Sequence, residues 1–198
     1  MAGSSTGSNV ARPAESTPEP SGGAGRAKFF FDLASPLAYL AAERVNHVFG
    51  EVPEWIPVRV GEVGPFRCHE EVLAYREDVE RVAARQRVQP LRWPEPFPAD
   101  SEFAMLAATY AKQIGRAVAF SLAAFRQAFA GGRDLSERDT VLLAAAACEM
   151  HPAAVIKGAE LRGTRERLAA AEAEAKAAGV RETPAIVTAA GEVIEVPA

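Results

Sequence analysis

The segment from Lys28 to Val60 leaves a chain of this kind few ways to fold. "KFFFDL", 28–33, is a short run of apolar, β-favouring residues and predicts a strand. Pro36 follows almost at once, and proline suits the first turn of a helix, where its missing N–H breaks no bond. Leu37, Leu40, Ala41, Val45 and Val48 then recur at helical spacing, and Gly50 is a natural stop. "EWIPVRV", 54–60, predicts a second strand, with Pro57 marking it as irregular or at a sheet edge. Strand, helix and strand in that order make a parallel pair joined by a right-handed crossover.

Past this unit the pattern is helical. "CHEEVLAYREDVERVAARQRV" carries Val72, Leu73, Tyr75, Val79 and Val82 among charges, and the proline-rich "LRWPEPFPAD" breaks it. "SEFAMLAATYAKQIG" follows Asp100 and Ser101, both suited to an N-cap. "RAVAFSLAAFRQAFAGG" places Phe120, Ala124, Phe125 and Phe129 on one stripe. "LSERDTVLLAAAACEM" opens like a capping box, with Ser136 and then Asp139. "PAAVIKGAEL" begins on Pro152, and "TRERLAAAEAEAKAAG" runs to Gly179. The period then returns to two: "PAIVT", a turn around Gly191, and "EVIEV" read as a β-hairpin. The expected class is α/β, with the sheet assembled from both ends of the chain and a helical insertion between. The expected organisation is a disordered tail over 1–26 and one domain over 27–198, with the insertion at about 65–178.

Several function classes are set aside by composition. The net charge of −4 lacks the basic footprint of a nucleic-acid binder. No apolar run approaches a membrane span, and the Ser/Gly/Pro-rich start lacks the apolar centre of a signal peptide, so the expected compartment is the cytoplasm. Cys68 and Cys148 form no CxxC and no zinc spacing, and are expected to be small buried or half-buried thiols. His47, His69 and His151 show no metal spacing, and the run "RGTRER" reads as a solvated helix face.

Three places carry possible chemistry. Ser35 stands where the first strand turns into the first helix. Unpaired N–H groups and the helix dipole favour negative charge there, and a bound thiolate is stabilised by both. Ser35 is equally suited to be an N-cap only, and one hydroxyl can serve both roles. Thr183–Pro184, directly before an apolar strand, is either a cis turn that presents the Thr183 backbone to an extended ligand or a plain trans strand start. "QPLRWPEPFP" is a stiff loop in which Trp93 either walls a pocket or covers core.

Taken together, "FDLASPLAYLA", the helical block, "PLRWPEPFP" and "GVRETPAIV" resemble, in that order, the DsbA-like thioredoxin-fold superfamily. The likeness spans roughly Lys28–Ile194 and is greatest to 2-hydroxychromene-2-carboxylate isomerase, with kappa-class glutathione transferase beside it. The resemblance implies a thioredoxin-like sheet and glutathione, or another low-molecular-weight thiol, as cofactor. It implies that Ser35 hydrogen-bonds the thiol sulfur where disulfide oxidoreductases carry a C-x-x-C, here Ser35-Pro36-Leu37-Ala38. It further implies that Thr183, before a cis Pro184, pairs with the cysteinyl backbone, and that Trp93 lines a pocket for a small aromatic or unsaturated acid. Such family members continue past the last hairpin into a final helix, whereas this sequence ends "GEVIEVPA". The expectation is a sheet lacking that C-terminal helix, with an apolar face left to a partner, such as a second copy in a homodimer, or to other elements of the chain. The expected function is a glutathione-dependent isomerase; a non-catalytic binding module on the same scaffold, or a transferase using glutathione or another low-molecular-weight thiol, is the alternative expectation.

Overall fold

Phe29, Phe30 and Phe31 have no exposed surface, so the strand that carries them, β1 (Lys28–Phe31), is covered on both faces. This structure, a computed structural model, describes Met1 and residues 25–48, 52–61 and 63–195; most of the expected tail and the Gly50 helix stop lie outside the described residues. Helix α1 (Pro36–Val48) leads from β1 to β2 (Glu54–Pro57), and the two strands pair in parallel with Phe30 opposite Ile56. Helices α2 (His69–Arg85), α3 (Glu102–Gln113), α4 (Ala117–Phe125), α5 (Arg138–Ala146), α6 (Pro152–Glu160) and α7 (Arg162–Ala177) come next. Strands β3 (Ala185–Val187) and β4 (Val193–Glu195) close the order β2-β1-β3-β4, with β3 antiparallel to both neighbours.

The alternation of the strand divides the core in two. On one face Phe29 and Phe31 meet Trp55, with ring centroids 4.9 and 5.5 Å away, and Phe31 reaches Phe125 of α4 at 5.8 Å. On the other face Phe30, Ile56, Val58 and Val187 pack against Ala175 of α7 and against Val180.

Several elements differ from the sequence reading. β2 ends at Pro57, which has no N–H to continue a ladder, although Val58 still donates to the Phe31 carbonyl at 2.9 Å. β2 lies at the sheet edge, as its proline implied. The stripe through Phe129 is not one α-helix: α4 passes into a π-helical turn at Arg126–Ala130. α5 begins two residues after Ser136, because the Ser136 hydroxyl is held by Asp134 at 2.5 Å rather than by a helix N–H. Ser101 does not cap α3 either, since its hydroxyl is spent on Asp32. Cys68 is exposed rather than buried or half-buried, being the residue that precedes α2; Cys148 is buried as expected.

Gly158 of α6 lies against Tyr110 of α3, where an added Cβ would come within 2.5 Å of three ring carbons. Alanine at a helix interior position normally gains about 1 kcal/mol over glycine. Here Gly158→Ala is expected to destabilise by about 1–3 kcal/mol through overpacking, read from urea unfolding. A more stable variant would show that the two helices do not meet this tightly.

Candidate functional site

The turn between β1 and α1 is organised by Asp32. Its Oδ1 accepts the Ala34 N–H at 2.8 Å and its carbonyl accepts the Ser35 N–H at 3.1 Å, which folds the chain back at the strand's end. Ser35 then caps α1: its Oγ accepts the Ala38 N–H at 3.1 Å, and Pro36 takes the first helical position. The cap reading of Ser35 is therefore met in full.

The same hydroxyl faces Thr183, 148 residues away in sequence. Ser35 Oγ lies 3.5 Å from the Thr183 carbonyl oxygen, and the Thr183–Pro184 bond is cis. A full hydroxyl–carbonyl bond is about 2.7–2.8 Å, so this contact satisfies neither group well. Thr183 Oγ1 is buried and has no hydrogen-bond partner among the described residues. Ser35 is only 2 % exposed and Thr183 7 %, so a weakly held donor and a weakly held acceptor are buried together, and Thr183 carries an unpaired hydroxyl besides. Buried polar groups in native proteins are normally paired, and such a cluster at a helix N-terminus is suited to a polar, electron-rich ligand atom.

In the turn itself, burial pushes the Asp32 carboxyl up to about 6, against the opposing pull of the Ala34 N–H, the Ser101 hydroxyl and Arg59. Ser101 donates to Asp32 Oδ1 at 3.1 Å, which ties the start of α3 to the turn that positions Ser35.

Trp93 sits to one side, in a band of aromatic rings. Tyr39, one turn along α1 from Ser35, stacks on Phe129 at 5.7 Å. Phe129 meets Trp93 edge-on at 6.4 Å, and Trp93 meets Phe97 at 4.9 Å. Phe97 continues to Tyr75 at 6.0 Å and to Phe66 at 6.2 Å. Tyr75 feels the carboxylate of Glu182, the neighbour of Thr183, and burial with that charge pushes its hydroxyl up to about 12. The band thus runs from the helix that carries Ser35, through Phe129 and the Trp93 loop, to α2. Trp93 is half-buried within it, with its N–H on Glu80 at 2.7 Å and the Arg76 guanidinium 5.2 Å from its ring centre. The π-helical turn seats the loop, since the Phe129 carbonyl accepts the Arg92 N–H at 2.8 Å.

Sequence reasoning named Ser35, Thr183, Pro184 and Trp93; the structure brings the first two into contact and sets Trp93 in the adjoining band. It passed over Asp32, although an acid closing the run "FFFD" is an unusual neighbour for a buried strand. It also passed over Phe66, Tyr75 and Phe97, whose grouping depends on folding. Among the described residues no cluster of His, Cys, Asp or Glu is placed to hold a metal ion, and no helix is long and apolar enough to cross a membrane.

The DSBA-like thioredoxin domain family matches residues 26–196. Among solved structures, 2-hydroxychromene-2-carboxylate isomerase superposes with a TM-score of 0.72 at 20% identity, covering 85% of this chain and 87% of that one. A probable DsbA oxidoreductase from Streptomyces coelicolor gives 0.67 at 18%, covering 86% and 82%. The cytosolic disulfide reductase DsbM from Pseudomonas aeruginosa with GSH gives 0.65 at 15%, covering 85% and 89%. At these identities the likeness is one of fold. A search of curated proteins finds no match.

The raised Asp32 carboxyl makes stability depend on pH. The folded protein holds the proton to about pH 6, while the unfolded chain releases it near 3.8. Between those values the folded state binds the extra proton, so stability is greatest below the window and falls as pH rises through it. The full effect of a shift of roughly two units is at most about 3 kcal/mol. Asp32→Asn keeps an Oδ1 acceptor for Ala34 and Ser101 and removes the charge. It is expected to raise stability at pH 8 by about 1–3 kcal/mol and to flatten the slope between pH 4 and 7 in urea unfolding. A variant less stable than the parent at pH 8 would contradict the burial cost.

Proposed function

This chain belongs to the DSBA-like thioredoxin-domain family, and from that premise we propose that it is a glutathione-dependent isomerase acting on a small aromatic or unsaturated organic acid. The observation that carries the reading is the contact between Ser35 Oγ and the Thr183 carbonyl, 3.5 Å long and unsatisfying to both. The residues fit a thiol peptide. Ser35 can turn its O–H from the Thr183 carbonyl to a sulfur while its lone pair keeps the Ala38 N–H. The Thr183 carbonyl, freed of Ser35, accepts the peptide N–H of the ligand.

Glutathione held by Ser35 and Thr183 would supply a nucleophilic thiolate for reversible addition to a carbon–carbon double bond. The chain's own part is to lower the cost of the charged sulfur and to fix its place. A free thiol ionises near 8.5, and the N–H groups opening α1 together with the Ser35 hydroxyl favour the anion. The low exposure of Ser35 excludes water that would compete for that anion. The aromatic band beside the site supports an aromatic substrate, with Trp93 and Phe97 as its walls. Dithiol exchange at the helix start has no chemical basis here, because neither Ser35 nor Ala38 carries a thiol.

Calorimetric titration with glutathione tests the reading. The intact protein is expected to bind at millimolar concentration or below. Ser35→Ala removes a hydrogen bond to a charged atom and is expected to weaken binding about tenfold or more. The same change removes a helix cap worth about 1 kcal/mol, so folding is followed in parallel by circular dichroism. No binding by the intact protein, or equal binding by folded Ser35→Ala, would sink the proposal.

A further inference from the structure

Arg59, Val60, Gly61, Lys176, Gly179, Val180 and Arg181 line an open hollow of about 620 Å³ where the exit of β2, the end of α7 and the approach to β3 converge. In a chain of net charge −4 this gathers three cations in one place. Arg59 is engaged by Glu172 at 3.3 Å, whereas Lys176 and Arg181 make no ion pair among the described residues. The nearby carboxylate, Glu182, is exposed. Gly61 lies directly against the Glu182 backbone, so the hollow abuts the segment that leads into Thr183.

Strand geometry connects this hollow to the ligand. Two residues can exchange both N–H···O bonds with each other only when their chains run antiparallel. A cysteinyl residue paired in that way with Thr183 sends the rest of its peptide, in the N-to-C direction, back along Glu182 towards Arg181. At about 3.3 Å per residue, one glycine beyond the cysteine brings a terminal carboxylate alongside 181–182. We infer that Arg181, with Lys176 beside it, holds the C-terminal carboxylate of the bound thiol peptide and so sets the direction in which that peptide lies. The inference rests on the thiol-binding reading above. It adds a binding residue outside the Ser35–Thr183 contact, and a preference for thiols that end in a carboxylate.

Calorimetry with two ligands and two proteins separates this claim from the one it rests on. The ligands are glutathione and its C-terminal amide, which differ only in that charge; the proteins are the parent chain and Arg181→Gln. Arg181 is exposed, so the substitution leaves the core untouched. The parent is expected to prefer glutathione over the amide by roughly three- to tenfold, in the range of a partly exposed ion pair. Arg181→Gln is expected to bind the amide as the parent does and to lose the preference. Equal affinity of the parent for both ligands, or a preference that survives in Arg181→Gln, would overturn the role of Arg181 while leaving the thiol reading intact. Failure of the parent to bind either ligand would overturn both.

Discussion

A strand can hide consecutive side chains only when both of its faces are covered, and Phe29, Phe30 and Phe31 are hidden completely. β1 also lies inside the sheet, with β2 on one side and β3 on the other, so its backbone is paired on both edges as its faces are covered. The register follows from the same residues, because a slip by one position would turn Phe29 and Phe31 away from Trp55 and send Phe30 into their place. With Phe30 opposite Ala185, the chain leaving β1 and the chain entering β3 meet at one end of the sheet. Ser35 and Thr183 come together there. The site is thus a by-product of how the phenylalanines are buried.

The polar groups at that end are arranged with opposite consequences. Asp32 is well bonded yet buried, so its charge is disfavoured and its proton is held to about pH 6. Ser35 and Thr183 are buried yet poorly bonded to each other, so their groups remain available. The first arrangement shapes the turn at some cost in stability; the second leaves a weakly bonded donor and acceptor at the positive end of α1. Ser101 links the two, since its hydroxyl on Asp32 ties the helices between β2 and β3 to the turn.

Much of this was legible in the sequence where the signals are local. The strand–helix–strand opening, the helical block and the final hairpin follow from short-range period and from Pro36 and Gly191. Ser35 could be identified as a cap from its place alone, and its facing of Thr183 only through the family resemblance. What the sequence hid depends on partners distant along the chain. Ser101 looked like a cap because Asp32, 69 residues earlier, is not visible as its acceptor from local pattern. Ser136 is a local exception: Asp134, two residues earlier, takes its hydroxyl in place of a helix N–H. The aromatic band joins rings from four separate segments, and no periodicity records such a meeting.

The central claim is that the start of α1 stabilises a thiolate, and the ionisation of bound glutathione measures this directly. Ultraviolet thiolate absorbance of the saturated complex, followed against pH, is expected to show the thiol titrating at least about one unit below its free value near 8.5. A bound thiol that titrates at the free value would contradict the claim, because the N–H groups of α1 and the Ser35 hydroxyl would then hold no charge.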